Sequence, residues 1–158
     1  MKATKLLSAI MIMAFGLFAL TSCGSDDKDE PQTPAARSIA GTYNGDMTCS
    51  VMGSEDLFED MTFTVTAVDD SKVDITISSF GNPPMQVPEI TIKNVAVSGS
   101  DGNYTIATTN FEGDLANGKK YSGVIQGNYA SDQLNLQFNL QYGAMPMPMI
   151  CNFSAPKN

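Results

Sequence analysis

The amino-acid sequence predicts an all-β fold, an eight-stranded antiparallel up-and-down β-barrel without substantial helix. Three observations carry that expectation. Apolar residues recur with period two through most of the chain beyond residue 38, turn-forming clusters punctuate the runs at short intervals, and each run offers one apolar and one polar face.

The clearest run is Leu134, Leu136, Phe138, Leu140 and Tyr142, which alternate with the amides Asn135, Gln137, Asn139 and Gln141. A helix would spread these residues around its circumference, whereas a strand sorts them onto two faces. Met61, Phe63, Val65 and Ala67 alternate with Thr62, Thr64 and Thr66 in the same way, and Val73, Ile75 and Ile77 repeat the pattern. Turn signals stand at Asp69-Asp70-Ser71, Gly81-Asn82-Pro83-Pro84, Asp101-Gly102-Asn103, Asn117-Gly118 and Ser131-Asp132. Strands are therefore expected near 41–52, 58–68, 72–80, 86–98, 103–109, 119–129, 133–142 and 147–154. Parity changes between Ile92 and Val95, which predicts a bulge near Lys93-Asn94.

Links this short join antiparallel neighbours, since parallel ones need crossovers of about a dozen residues or more. One sheet with a single apolar face shelters that face by curling into a barrel, and closure also removes its edges. A two-sheet sandwich is the rival, but its Greek-key connections need longer links than most of these. In a closed meander with an even strand count, the first and last strands are antiparallel neighbours. Cys49 falls in the first and Cys151 in the last, on matching parity. Two readings stand for this pair: a disulfide across the closing seam, or two buried thiols acting as small hydrophobes.

The front of the chain has a different character. Lys2 and Lys5 precede an apolar run from Leu6 to Leu20, shorter than the roughly 20 residues of a membrane span. Basic, apolar and small residues in that order form a secretory signal. Leu20-Thr21-Ser22-Cys23 resembles the lipobox of bacterial lipoproteins, in which the cysteine is lipidated and becomes the first residue. Residues 1–22 are thus expected to be a lipoprotein signal peptide, with Cys23 as the lipidation site. Residues 23–37 are expected to form an acidic flexible tether and 38–158 the barrel domain. The tether stretch is too polar and proline-rich to offset the entropy of ordering. Its acidic run, Asp26-Asp27-Lys28-Asp29-Glu30, resembles the surface-export signal of lipoproteins in gut-dwelling Gram-negative anaerobes. The expected location is the outer membrane, lipid-anchored and exposed at the cell surface. A second reading of the run is simple solvation of the tether.

A net charge of −8, more acidic still without Lys2 and Lys5, argues against nucleic acid as a partner and against docking on anionic lipid. The membrane is a partner through the anchor alone. The chain has no histidine, which removes Ser-His-Asp and Cys-His nucleophile systems and the commonest zinc ligand. The acidic pairs Glu55-Asp56, Glu59-Asp60 and Asp69-Asp70 read as solvated charge at strand ends. No catalytic residue, metal site or cofactor is expected, and the chain is not expected to be an enzyme.

Methionine is the unusual component. Met145-Pro146-Met147-Pro148-Met149 leads into the last strand, where alternate prolines remove two amides and suggest a rim or loosened seam. Three readings stand for these thioethers: packing, an adaptable apolar ligand surface, or a soft site for Cu(I).

Ala40-Gly41-Thr42-Tyr43-Asn44-Gly45 resembles the opening strand of lipocalins, with tyrosine in place of tryptophan. With Ser122-Gly123-Val124-Ile125-Gln126-Gly127 it is more similar to the calycin-like β-barrel lipoproteins of gut anaerobes, over residues 39 to 154. The resemblance implies an eight-stranded barrel with an internal cavity. Arg37 is the single arginine, so none stands on the late strands to stack on Tyr43 as in true lipocalins. Inward candidates for a small apolar or amphipathic ligand are Tyr43, Met47, Phe63, Ile75, Phe138, Met147 and Met149. A barrel of eight strands either fills with its own side chains or holds one small ligand. The leading expectation is a surface-exposed, non-catalytic binding module of the second kind. The alternative is a structural or interaction protein with a filled barrel, acting as an accessory subunit of a surface uptake complex or as a protein inhibitor.

Overall fold

The computed structural model describes residues 32–158; the signal segment, Cys23 and the tether through Pro31 lie outside the described residues. The alternating runs become eight strands: β1 Gly41–Val51, β2 Ser54–Ala67, β3 Lys72–Ile77, β4 Ile90–Ser100, β5 Asn103–Asp114, β6 Lys120–Ala130, β7 Gln133–Tyr142 and β8 Met149–Pro156. Each pairs antiparallel with the next, and β8 returns to β1, closing the barrel. Burial follows the sequence period: along β8 it alternates without a break, and in β7 Leu134, Leu136, Phe138 and Leu140 all face inward.

Bulges adjust parity where the period slips. At the expected place in β4, Lys93 and Asn94 together oppose Asp74, and the Asp74 carboxylate accepts the Asn94 N–H at 2.9 Å. Ala107 and Thr108 form a second bulge against β6. It brings Phe111 back to the inside, so β5 continues to Asp114 rather than ending near 109. A third, on β2 at Glu59–Asp60, opposes β1 between Gly45 and Met47. β4 starts later than its alternation suggests, because residues 78–89 form a long link held by the Phe80–Val87 bridge.

One short helix accompanies the strands, in keeping with a fold without substantial helix. α1, Ala35–Ile39, spans the last three positions assigned to the tether and the first two assigned to the barrel domain. Five residues are too few for a helical period to show in the sequence, and so short a helix is stable only through tertiary packing. Ala36 and Ile39 supply that packing, both fully buried. Three hydrogen bonds hold α1 across one barrel end: Tyr43 Oη to the Ile39 carbonyl, Ala36 N–H to Asp70 and Lys157 Nζ to Ser38. The longer links 78–89, 115–119 and 143–148 gather at the opposite end.

Candidate functional site

The interior is an aromatic column. Tyr104, Tyr129 and Tyr43 stand nearest α1, with ring centroids 6.0 and 6.3 Å apart in sequence along the column. At mid-barrel Phe63 stacks on Phe153 at 3.8 Å and meets Phe138 at 6.2 Å. Toward the far end, Phe58 meets Phe80 edge-on at 5.2 Å, and Phe111 lies against Tyr121. Tyr43, Met47, Phe63, Ile75 and Phe138 are thus brought together inside the barrel, each at most 1 % exposed. Met149 joins them at the start of β8, opposite Leu140.

Met147 does not join them. It is 46 % exposed in the link between β7 and β8, and its assignment as an inward residue is corrected. Flanked by Pro146 and Pro148, it has no ladder on either side to orient it, so the strand parity of residues 149–155 does not extend back to it. Cys49 and Cys151 are direct partners in the β1–β8 register and are joined as a disulfide.

The outside of the barrel holds an arrangement that strand-by-strand reading missed. The register aligns Ile106, Gly127, Leu136, Phe153 and Met47 in one row across β5, β6, β7, β8 and β1. Their side chains, where present, point inward, so the row shows its backbone to the outside. On one flank stand Thr105, Asn128, Asn135 and Ser154. On the other stand Gln126, Gln137, Asn152 and Thr48, with Thr108 joined through the bulge. The two flanks wall a trough of about 770 Å³. Asp46, at the β1 end, is the one ionisable residue in its lining.

Local sequence explains the trough's shape. Gly127 lets β6 sit close on β7: a Cβ there would fall on the Asn135 carbonyl oxygen and lie 2.9 Å from Leu136 Cδ2. The walls are partly ordered by their own hydrogen bonds. Thr108 donates to Gln126 Oε1 at 3.0 Å, Gln126 Nε2 to Gln137 Oε1 at 3.1 Å, and Ser154 to Asn135 at 2.7 Å. The available signal was compositional: β7 and β8 contain no charged residue in a chain of net charge −8.

The family model of the calycin-like β-barrel domain matches residues 39–155. The chain belongs to that family. A Bacteroides fragilis protein of known crystal structure, provisionally named an outer membrane protein, resembles it with a TM-score of 0.68 and 22 % identity. The likeness covers 79 % of this chain and 53 % of that one, so this chain spans about half of its length; at this identity it speaks for the fold alone. No curated protein matches the chain.

Electrostatics in this calycin-like barrel separate inside from outside. Among the described residues no charged side chain is buried, and no group of three His, Cys, Asp or Glu is placed to hold a metal. The titrations that shift within the barrel are tyrosines. Burial pushes the Tyr43 phenol far above its ordinary range, and nearby Tyr129 and Asp132 push the same way. Tyr129 is raised by burial first and then by its hydrogen bond to the Asp132 carboxylate. At the surface, Asp69 is lowered chiefly by the Ser71 N–H that it accepts.

Proposed function

We propose that this calycin-like chain is a lipid-anchored module of the bacterial outer membrane, exposed at the cell surface, that acts without catalysis through the outside of a filled barrel. The observation that carries the reading is the cross-section at mid-barrel. Phe63, Phe138 and Phe153 occupy it, Phe63 packing against both of the others, each at most 2 % exposed. A small apolar ligand in the same place would have to displace these rings from a close-packed interior, where each buried aromatic contributes a few kcal/mol, about 3–5. The packing supports the interaction-protein alternative over a barrel-held ligand.

The anchor rests on the lipobox ending in Cys23, and surface exposure on the acidic run that follows it. The name of the Bacteroides fragilis neighbour agrees with an envelope location. The absence of histidine, together with carboxylates that all reach solvent among the described residues, supports a role without acid–base or nucleophilic catalysis. An exterior of this kind suits an accessory subunit of a surface uptake complex or an inhibitor.

Two measurements test the reading. Cys23→Ala should move the chain from the membrane fraction to the soluble one. Thermal denaturation of the full chain with fatty acids, sterols or bile-acid-like compounds should leave Tm unchanged. A ligand-dependent rise in Tm that Phe138→Ala enlarged or abolished would return the binding site to the interior.

A further inference from the structure

We infer that the exterior trough across β5, β6, β7, β8 and β1 is a binding site for a linear, neutral, hydroxyl-rich chain, an oligosaccharide. This rests on the reading that the barrel works through its outside.

Shape is the first argument. Crossing from β5 to β1 takes four inter-strand steps, so the trough is about 19 Å long, between two rows of side chains whose backbone positions stand about 7 Å apart. That length matches several pyranose rings laid end to end along the amide rows. They also run across the strands, so the backbone floor is already committed to the ladder and recognition falls to the walls.

Wall chemistry is the second. Asn and Gln each present a donor and an acceptor side by side, and Thr and Ser hydroxyls do both from one atom. Vicinal sugar hydroxyls ask for that pairing, one group giving a proton where its neighbour accepts one. The relay from Thr108 through Gln126 to Gln137 ends on the Gln137 oxygen, and the Gln137 amide hydrogens are not used in it. Asn128 and Asn152, both exposed, line the trough as well and present their amides to solvent. Ordered walls with open donors lower the entropy lost on binding.

Charge is the third argument. The lining carries Asp46 alone, whereas the chain as a whole is at −8. Polyanions would be repelled, and polycations would be drawn to the acidic start of β2 at Glu55 and Asp56 instead. An apolar ligand would strip water from amides without replacing their hydrogen bonds. An extended peptide would need sockets for its side chains, and two similar rows of amides supply none.

The test uses the full chain, carried in a detergent without a sugar headgroup and labelled with ¹⁵N. Short linear fragments of neutral glucan, xylan and mannan are titrated to about 10 mM, with acidic oligosaccharides and an extended polyalanine-type peptide as comparisons. At least one neutral fragment should shift the side-chain amide signals of Gln126, Asn128, Gln137 and Asn152. The double variant Gln126→Ala, Gln137→Ala should weaken that binding about tenfold, as expected for losing two hydrogen-bonding groups. Thr64→Ala, on the outer face of β2, should leave it unchanged. Binding should also be insensitive to salt.

No shift of these amides with any neutral fragment would overturn the assignment, as would stronger binding of the peptide or the acidic oligomers. Binding that the double variant left intact would overturn it too. These failures concern the trough alone. The broader reading fails by a different signal: perturbation of the Ile75 and Ile92 methyl resonances by apolar compounds, which reports on the interior away from the trough.

Discussion

Two joints of this barrel are built differently. β6 pairs with β7 over ten consecutive positions, from Tyr121–Tyr142 to Ala130–Gln133, with no break in register. β1 pairs with β8 over four, Met47–Phe153 to Ser50–Ile150, plus one isolated bridge from Tyr43 to Lys157. The first joins neighbours through a two-residue turn, while the second joins the ends of the meander. Closing it fixes the longest loop in the domain for only four ladder positions, as few as join β4 to β5 across a two-residue turn, which is a poor exchange of entropy for contacts. The Cys49–Cys151 link lies in that short joint, across a sequence separation of 102. The wall coheres through its ladder, and the seam relies on a covalent bond and on α1 above it.

The largest expected effect comes from cutting the seam. Replacing both cysteines by alanine should cost about 4–5 kcal/mol, the chain-entropy contribution for a loop of this length. Denaturant titration would read the loss. Native-state amide exchange should then accelerate first at Met47 to Ser50 and at their β8 partners. Equal acceleration across β6 and β7 would show that the two joints open together and would break the comparison.

Phe138→Ala acts on the wall from inside, removing a ring that is 1 % exposed and faces Phe63. It should cost about 4 kcal/mol by denaturant titration, with the seam's exchange rates rising only as far as global stability falls. Gly127→Ala sharpens the picture of β6, since its methyl would press on the Asn135 carbonyl. About 2 kcal/mol is expected, together with shifted amide signals along Asn135 to Gln137. A neutral result would mean that β6 and β7 approach less closely than their register implies.

The smallest effect is at the α1 end of the seam. Tyr43→Phe removes the bond to the Ile39 carbonyl and should cost about 1 kcal/mol, loosening α1 before any strand. It also changes the pH response. The folded-state pKa of Tyr43 lies above its ordinary value of 10.0, so the unfolded chain gives up that proton first as the solution becomes alkaline. Stability from this group is fully present below pH 10.0 and declines above it. The phenylalanine variant should show a shallower decline. An identical slope would assign the alkaline loss to other tyrosines.

Much of the fold was legible because alternation is a local property. Leu134 through Tyr142 state their two faces residue by residue, and the slip between Ile92 and Val95 marked its bulge. α1 was not legible, since Ala35–Ile39 is ordered only by what it covers. Met147 was misplaced because strand parity was carried through a proline-bounded link with no ladder to enforce it. The trough was visible only as scattered amides.

By itself, then, the sequence determined that the chain would be extended, where it would turn, and which side of each strand would be apolar, because those choices depend on neighbours two residues away. Tertiary structure alone decided how much room the closed sheet enclosed and which polar side chains stood in line. Both depend on register between strands far apart in sequence and on how sharply the sheet bends. That is why Phe63, Phe138 and Phe153 could fill the middle, and why Gln126, Gln137 and Asn152 came to share one wall.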